Sequence, residues 1–456
     1  MTLAHVRLTK VAAAAAAAAA ACASLGLVAG SASASTPPPT TPVNAYYSST
    51  PSAPQSRSVQ AFRRFLSTER TEFDLQSYPF FGSLVDRKGR TSTFSLMMQQ
   101  TNDIDDLPLS YAVEGVMVNK GSGFTLGGVQ GIPELTVPLT LTAAPWSIRA
   151  QSFELGQQPQ FVDARVVSGH IGEKGAVYEL TASVQASRLD GGGAPYRLEM
   201  FIRAKDALGM AQWGYGPSGF FPQWIYPKQR AAIERRYRGD VGAYLAATRD
   251  PMSGQGDYYY SSPLLEVQRW SMHANGTRVS RGRGGTLWLD NVEQSFNAAA
   301  DKVVKNGVTW TEFSTQLPRE NKALKIGWVK QKSVGKLPYA MLAGSGDGHA
   351  RNGNLRTTKW AMQSIRIIPV GGARNRWTSP DTRLTYHTKY RVVLKASGNP
   401  KRHRAELIMT AVFDDQEVAF AGGRAVYEGL YKVTGRLDGR RIRGQAWGEV
   451  QPAGSL

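Results

Sequence analysis

The sequence of 456 residues contains a single cysteine, Cys22, and only six histidines: His5, His170, His273, His349, His387 and His403. Cys22 sits in an N-terminal segment that reads as a cleaved signal. The mature chain then has no thiol, which excludes disulfides, a disulfide-linked partner, thiolate metal sites and cysteine nucleophiles. No histidines pair at metal-ligand spacing, and there is no His-Glu-x-x-His. Gly216-Pro217-Ser218-Gly219-Phe220 lacks the second flanking glycine of a nucleophile elbow. Gly344-Ser345-Gly346-Asp347-Gly348 lacks the Gly-Lys-Ser/Thr end of a phosphate loop and reads as a loop tip. These absences argue against metal, nucleotide and serine-hydrolase chemistry, and no cofactor is expected.

Long apolar runs are also missing, with one exception. Arg7 and Lys10 precede the alanine-rich stretch Val11 to Ala29, which ends in Ala32-Ser33-Ala34. That is the n-region, h-region and cleavage site of a secretory signal over residues 1–34. A retained membrane anchor is the competing reading, although alanine is only weakly apolar and the small-residue exit favours cleavage. Ala19-Ala20-Ala21-Cys22 lacks the leucine of a lipoprotein signal. Residues 35–58, rich in Pro, Ser and Thr, read as a flexible exported linker. The expected location is therefore secreted or cell-surface.

Negative charge is scarce relative to positive. Lys and Arg total 54 against 35 Asp and Glu, a net charge of +19, and losing the two cations of the signal leaves +17. Such a charge suits an anionic cell-surface polymer. The clusters at Arg235-Arg236-Tyr237-Arg238 and Lys401-Arg402-His403-Arg404 accompany no nucleic-acid-binding module, so no nucleic acid is expected as a partner.

Helical periodicity is the next shortage. From Phe62 onward short apolar runs alternate with Gly, Asn and Asp turns, the pattern of an all-β sandwich or barrel. Only Pro227 to Arg249, with apolar residues at Ile233, Tyr237, Val241, Tyr244 and Leu245, reads as a helix. The expected organisation is an N-terminal β-barrel over 59–226, a helical connector over 227–256 and a C-terminal β-barrel over 257–456. Asp438-Gly439 marks a hairpin turn, and Asn275-Gly276-Thr277 fits a glycosylation acceptor.

What is present, and chemically informative, lies in two predicted strands. Gly285 to Asn291 carries Trp288 and Asp290, and Trp310 to Leu317 carries Trp310 and Glu312. Residues two apart share a face, so each tryptophan projects with its carboxyl. A carboxyl beside an indole in an apolar wall resists ionisation and can hold a proton for delivery. Two strands, each with a core tryptophan and an exposed acid, would give the same spacing.

Further motifs narrow the choice. Tyr258-Tyr259-Tyr260-Ser261 before Leu264-Leu265-Glu266-Val267, Gly285 to Asp290, Trp310 with Phe313 to Leu317, Phe413-Asp414-Asp415-Gln416-Glu417 and Tyr427-Glu428-Gly429 follow one another in a recognisable order. Over about residues 256–452 the chain resembles the carotenoid 1,2-hydratase/AttH family of lipocalin-like proteins. The resemblance implies two lipocalin-like barrels side by side, an apolar ligand cavity, and reactions such as water addition to an isoprenoid double bond or an intramolecular Diels–Alder cyclisation. It departs from the family at Asn291, which stands where the family carries histidine, and at Thr311-Glu312, which replaces an Asp-Trp pair. Asn291 cannot shuttle a proton near neutral pH as histidine does.

Three functions fit. In the first, an enzyme acts on an apolar isoprenoid- or polyketide-like small molecule. Asp290 is its general acid and Glu312 the helper, Trp288 and Trp310 shape the pocket and stabilise cationic character, and Tyr259, Asn291 and Tyr427 contact the ligand. The second is a non-catalytic carrier of an apolar metabolite or lipid. The third is a wall-associated protein held by its charge.

Overall fold

Runs rich in β-branched and aromatic residues, broken by turn-forming Gly, Asn and Asp, pair into strands. In the computed structural model strands make up nearly every described element. The structure describes residues 75–101, 110–119, 122–126, 136–143, 146–152, 160–188, 196–214, 235–236, 257–294, 309–331, 335–344, 355, 357–419 and 425–452. The residues read from sequence as a signal, a linker and a connector lie outside these, apart from Arg235 and Arg236, which are helical.

The first sheet comprises β1 (Leu75–Asp86), β2 (Thr91–Thr101), β3 (Ser110–Asn119), β4 (Ser122–Leu126), β5 (Thr136–Ala143), β6 (Trp146–Ser152), β7 (Gln160–Ser168), β8 (Val177–Arg188), β9 (Tyr196–Asp206), β10 (Ala211–Gly214), β11 (Asp257–Ala274) and β12 (Thr277–Gln294). Its antiparallel pairings run β11-β12-β1-β2-β3-β4-β8-β9 and return to β11, closing a barrel. Closure leaves those strands without a free edge. β5 to β7 extend from β8, and β10 pairs with β11.

The second sheet is formed by β13 (Thr309–Leu317), β14 (Lys322–Gln331), β15 (Gly335–Gly344), β16 (Thr357–Lys359), β17 (Ile365–Pro369), β20 (Lys389–Leu394), β21 (Ala405–Ala411), β22 (Glu417–Ala419), β23 (Ala425–Leu437) and β24 (Arg440–Val450). A small ribbon of β18 (Arg376–Thr378) and β19 (Thr385–His387) lies outside it. The order is β16-β15-β14-β13-β24-β23-β21-β20-β17, with β22 on β23. The architecture is the expected all-β pair of lipocalin-like antiparallel barrels.

The boundary between the sheets falls elsewhere than expected. The hairpin β11–β12, assigned from sequence to the second barrel, pairs with β1 and β9 of the first, and the second sheet begins at Thr309. The hairpin itself is local. Asn275 and Gly276 take φ of 46° and 74° in a two-residue turn between Ala274 and Thr277, the Asn-Gly chemistry that suits strand twist. The sheet it joins is not local, because Thr286 pairs with Ser83, 203 positions away. The Asp438-Gly439 turn between β23 and β24 forms as read, with φ of 54° and 84°.

Alternation along the strands sorts side chains into three apolar clusters. Phe80, Phe94, Leu180, Ile202 and Leu289 fill the first barrel, and Phe313, Ile326, Leu407, Tyr427 and Tyr431 fill the second. The third cluster draws on both sheets, joining Phe81, Trp213, Tyr259 and Trp288 to Trp310, Tyr339, Met341 and Trp447. It is the seam where the barrels' outer faces meet. β13 is consequently buried on both faces from Trp310 to Leu317. Two glutamines clasp one edge of the seam. Gln316 Nε2 donates to the carbonyls of Pro263 at 2.8 Å and Leu287 at 2.9 Å, and Gln445 accepts from Ser83 Oγ at 2.7 Å while donating to Gln316 Oε1 at 2.8 Å.

Candidate active site

Both tryptophan–carboxyl pairs project away from their own barrels and into the seam. Leu287 and Leu289 of β12 point into the first barrel, so Trp288, Asp290 and Val292 face outward; on β13, Phe313 and Leu317 point inward, so Trp310 and Glu312 face outward. The expected barrel-cavity wall is therefore a wall between barrels. Sequence patterning marks the polar face of such a strand as solvent-facing, and only the packing of a second barrel buries it.

Trp288 Nε1, Ser261 Oγ and Tyr259 Oη all donate to the Asp290 carboxylate, the last at 2.5 Å. The Ser261 hydroxyl is aimed by Trp213 Nε1, which donates to it at 2.7 Å. An indole N–H can only donate, so these bonds commit Asp290 to accepting. Glu312 accepts from Tyr339 Oη and pairs with the ammonium of Lys325. Tyr339 reaches Glu312 by lying across Gly327, where a Cβ would fall 2.5 Å from its hydroxyl oxygen.

Lys325 is the electrostatic centre. Its Nζ donates to Ser314 Oγ at 2.7 Å, lies 3.7 Å from Asp290 and sits over the Tyr259 ring at 4.7 Å and the Trp288 ring at 5.6 Å. It is 1% exposed. Burial works against its charge, but Glu312, Asp290 and Glu449 outweigh burial and raise its pKa above the ordinary lysine value.

Three glutamates form a row on this face. Glu312 of β13 lies opposite Glu449 of β24, which lies opposite Glu428 of β23. All are buried. Like charges directly opposed across strands are destabilising, the more so out of water. Burial first, and then the Glu312 charge, push Glu449 up to about 8, while Lys325 and the 3.2 Å hydrogen bond from Trp310 Nε1 pull it back. Burial also raises Glu312, against the opposing pull of Lys325. Glu449 thus keeps its proton at neutral pH, beside carboxylates that accept. The Tyr259 and Tyr339 hydroxyls are held far above the ordinary phenol value by burial and then by the neighbouring carboxylates. A stack of rings completes the wall: Trp213 on Trp288 at 5.8 Å, Trp288 on Phe81 at 6.2 Å and Phe81 on Trp447 at 5.5 Å.

The solved structure of a Nitrosomonas europaea protein assigned as an AttH superposes with a TM-score of 0.50 at 17% identity, covering 86% of this chain and 95% of that one. This chain has the AttH-type fold of two lipocalin-like barrels. Kievitone hydratase from Nectria haematococca scores 0.48 at 10% identity, covering 83% and 89% of the two chains. CghA, solved with Sch210972, scores 0.42 at 11% identity, covering 84% and 89%. Both scores fall below 0.5, and the fold assignment rests on the first. No protein-family model and no curated protein matches the sequence.

Within this AttH-type frame the seam gathers five of the residues singled out from sequence: Trp288, Asp290, Trp310, Glu312 and Tyr259. Two lie elsewhere. Asn291 alternates to the opposite face of β12, opposite Tyr260 of the first core, and neither its side-chain oxygen nor its nitrogen has a partner among the described residues. Tyr427 belongs to the second barrel's core and donates to the Phe413 carbonyl. The late motifs are structural here. Gln416 fills the space above Gly429, where a Cβ would fall 2.2 Å from its Cδ, and its Oε1 accepts from Leu430 N at 2.8 Å. Lys325, Glu449, Tyr339 and Trp213 were not singled out from sequence, and Ser261 entered only as the last residue of the Tyr258-Tyr259-Tyr260-Ser261 motif. For Lys325 and Glu449 the available signal was a charge alternating with apolar residues, which is also the pattern of a solvated strand face.

Proposed function

We propose that the seam is an acid–base site acting on an apolar, unsaturated small molecule of isoprenoid or polyketide type, in a protein exported by its N-terminal signal. The observation that carries this reading is the glutamate row, in which Glu449 holds a proton at neutral pH within an aromatic wall. In a hydration or isomerisation, the Glu449 carboxyl gives its proton to one carbon of a double bond. The positive charge left on the other carbon is stabilised by the indole faces of Trp288 and Trp310 and by nearby carboxylates. Water adds there and returns a proton to Glu449, or a neighbouring C–H gives its proton back to regenerate the alkene. Asp290 serves as a hydrogen-bond acceptor held by Trp288, Ser261 and Tyr259 in this scheme, and the general acid is Glu449. For a cyclisation, holding a flexible substrate between the aromatic walls is the main contribution.

A second reading is favoured by burial: Asp290, Glu312, Lys325 and Glu449 are 2%, 2%, 1% and 5% exposed. In that reading the charges lock the barrels in register and the protein carries an apolar molecule without turning it over. Native mass spectrometry of the purified protein, followed by assay of whatever apolar compound it retains, separates the two. With the compound as substrate, Glu449→Gln should lower turnover about 10²–10⁴-fold while retaining binding. Unchanged turnover removes Glu449 as proton donor, and binding without turnover in the wild type selects the carrier.

A further inference from the structure

Five arginines surround a cleft on the first barrel, away from the seam. The cleft has a volume of about 490 Å³ and is lined by Arg87, Arg269, Arg278, Arg281 and Arg283 with His273, Phe201 and Trp270. They come from four places in the chain. Arg87 follows β1, Arg269 and His273 are on β11, the remaining arginines are on β12, and Phe201 is on β9. Trp270 forms the floor: its indole lies across Gly282, where a Cβ would fall 2.6 Å from Nε1, and donates to the Val85 carbonyl at 3.0 Å. The Arg87 turn is tied to β12 by a backbone bond from Arg87 N to the Arg281 carbonyl at 3.4 Å. Arg269 stacks over Phe201 with its guanidinium carbon 5.0 Å from the ring centroid.

Among the described residues none of these arginines forms an ion pair with a carboxylate. Asp86, the nearest acid in sequence, is taken by Arg90 at 2.6 Å, and Glu199 lies opposite His273 rather than opposite an arginine. Partial burial, and then the charges of Arg278 and Arg87, lower the pKa of Arg281. Cations drawn together by the fold without a counter-charge are an electrostatic complement to an anion. Arginine forks match tetrahedral oxyanions in a bidentate manner. At about 30 Å³ per water the cleft holds roughly 16 waters, far more than one phosphate displaces, and it is more open than enclosed.

We propose that this cleft binds a linear phosphate-bearing polyanion, several consecutive phosphate groups engaging Arg87, Arg269, Arg278, Arg281 and Arg283. The site is independent of the acid–base reading of the seam. Linear polyphosphate, titrated by calorimetry at several salt concentrations, is the probe. Orthophosphate and polyglutamate are run beside it, and the variants are Arg281→Gln/Arg283→Gln and, on the second barrel, Arg440→Gln/Arg443→Gln. The first pair should weaken polyphosphate binding at least 10-fold and reduce the slope of log K against log salt by roughly 0.7–0.9 per lost contact. The second pair should change affinity less than 2-fold, and thermal unfolding should show both variants folded. Equal weakening by both pairs overturns the proposal, because attraction would then follow net charge alone. Orthophosphate or polyglutamate binding as tightly as polyphosphate also overturns it.

Discussion

Glu449→Gln tests the electrostatics of the seam without reference to any substrate. Glutamine keeps the volume of the side chain and an oxygen to accept the Trp310 indole N–H, but it cannot ionise. In the folded protein Glu449 is raised to about 8 from an ordinary value of 4.5. The folded state therefore holds one more proton than the unfolded chain between these values. Stability is greatest below pH 4.5 as far as this group is concerned, and falls as pH rises through 8, by up to about 1.4 kcal/mol per pH unit. The full difference corresponds to a ceiling of roughly 5 kcal/mol. Because Glu312 titrates against the same Lys325, the expected loss is about 2–4 kcal/mol. Urea unfolding from pH 5 to pH 9 should show wild type and variant within about 1 kcal/mol at pH 5. At pH 9 the variant should be the more stable by about 2–4 kcal/mol. A protonated-carboxyl infrared band at pH 7, absent from the variant, should accompany this. Parallel stability profiles for the two proteins across the range would refute the assignment of a retained proton to Glu449.

Three other perturbations bear on the same seam. Lys325→Met leaves buried carboxylates without their cation and should cost about 3–5 kcal/mol in urea unfolding. Adding Glu312→Gln to that variant should recover part of the loss, whereas strict additivity would contradict a direct pair. Gly327→Ala places a methyl 2.5 Å from the Tyr339 oxygen and should displace the phenol from Glu312. The expected cost is about 1–3 kcal/mol, and a crystal structure with Tyr339 still bonded to Glu312 would count against it. Gln316→Leu removes the donor to the Pro263 and Leu287 carbonyls and should lower stability by about 1–3 kcal/mol. In a double-mutant cycle with Gln445→Leu, an interaction energy near zero would show that the two glutamines act separately.

The strands were legible wherever turn chemistry and alternation agreed. The Asp438-Gly439 turn joins β23 to β24 as its residue types require. Asn275-Gly276, read from sequence only as part of a glycosylation acceptor, makes the turn between β11 and β12, and these strands join the first sheet rather than the second. Turn chemistry acts over four residues, while membership of a sheet depends on β1, some two hundred residues earlier. The shared face of Trp288 and Asp290 followed from strand geometry alone and ends in a direct hydrogen bond. Asn291 and Tyr427 were expected at the same site, but alternation turns Asn291 into the first barrel and packing draws Tyr427 into the core of the second.

By itself the sequence pointed to an almost all-β fold, held its only thiol at Cys22, and put a tryptophan and a carboxyl on one strand face at two places. Those properties depend on composition and on a two-residue period, both local. Which face of each strand meets solvent was decided only by tertiary structure. Packing the outer walls of two barrels together turned Glu312, Lys325 and Glu449 from surface charges into one coupled, buried group, and raised Glu449 to about 8. Desolvation depends on what covers a residue, and what covers it comes from distant parts of the chain.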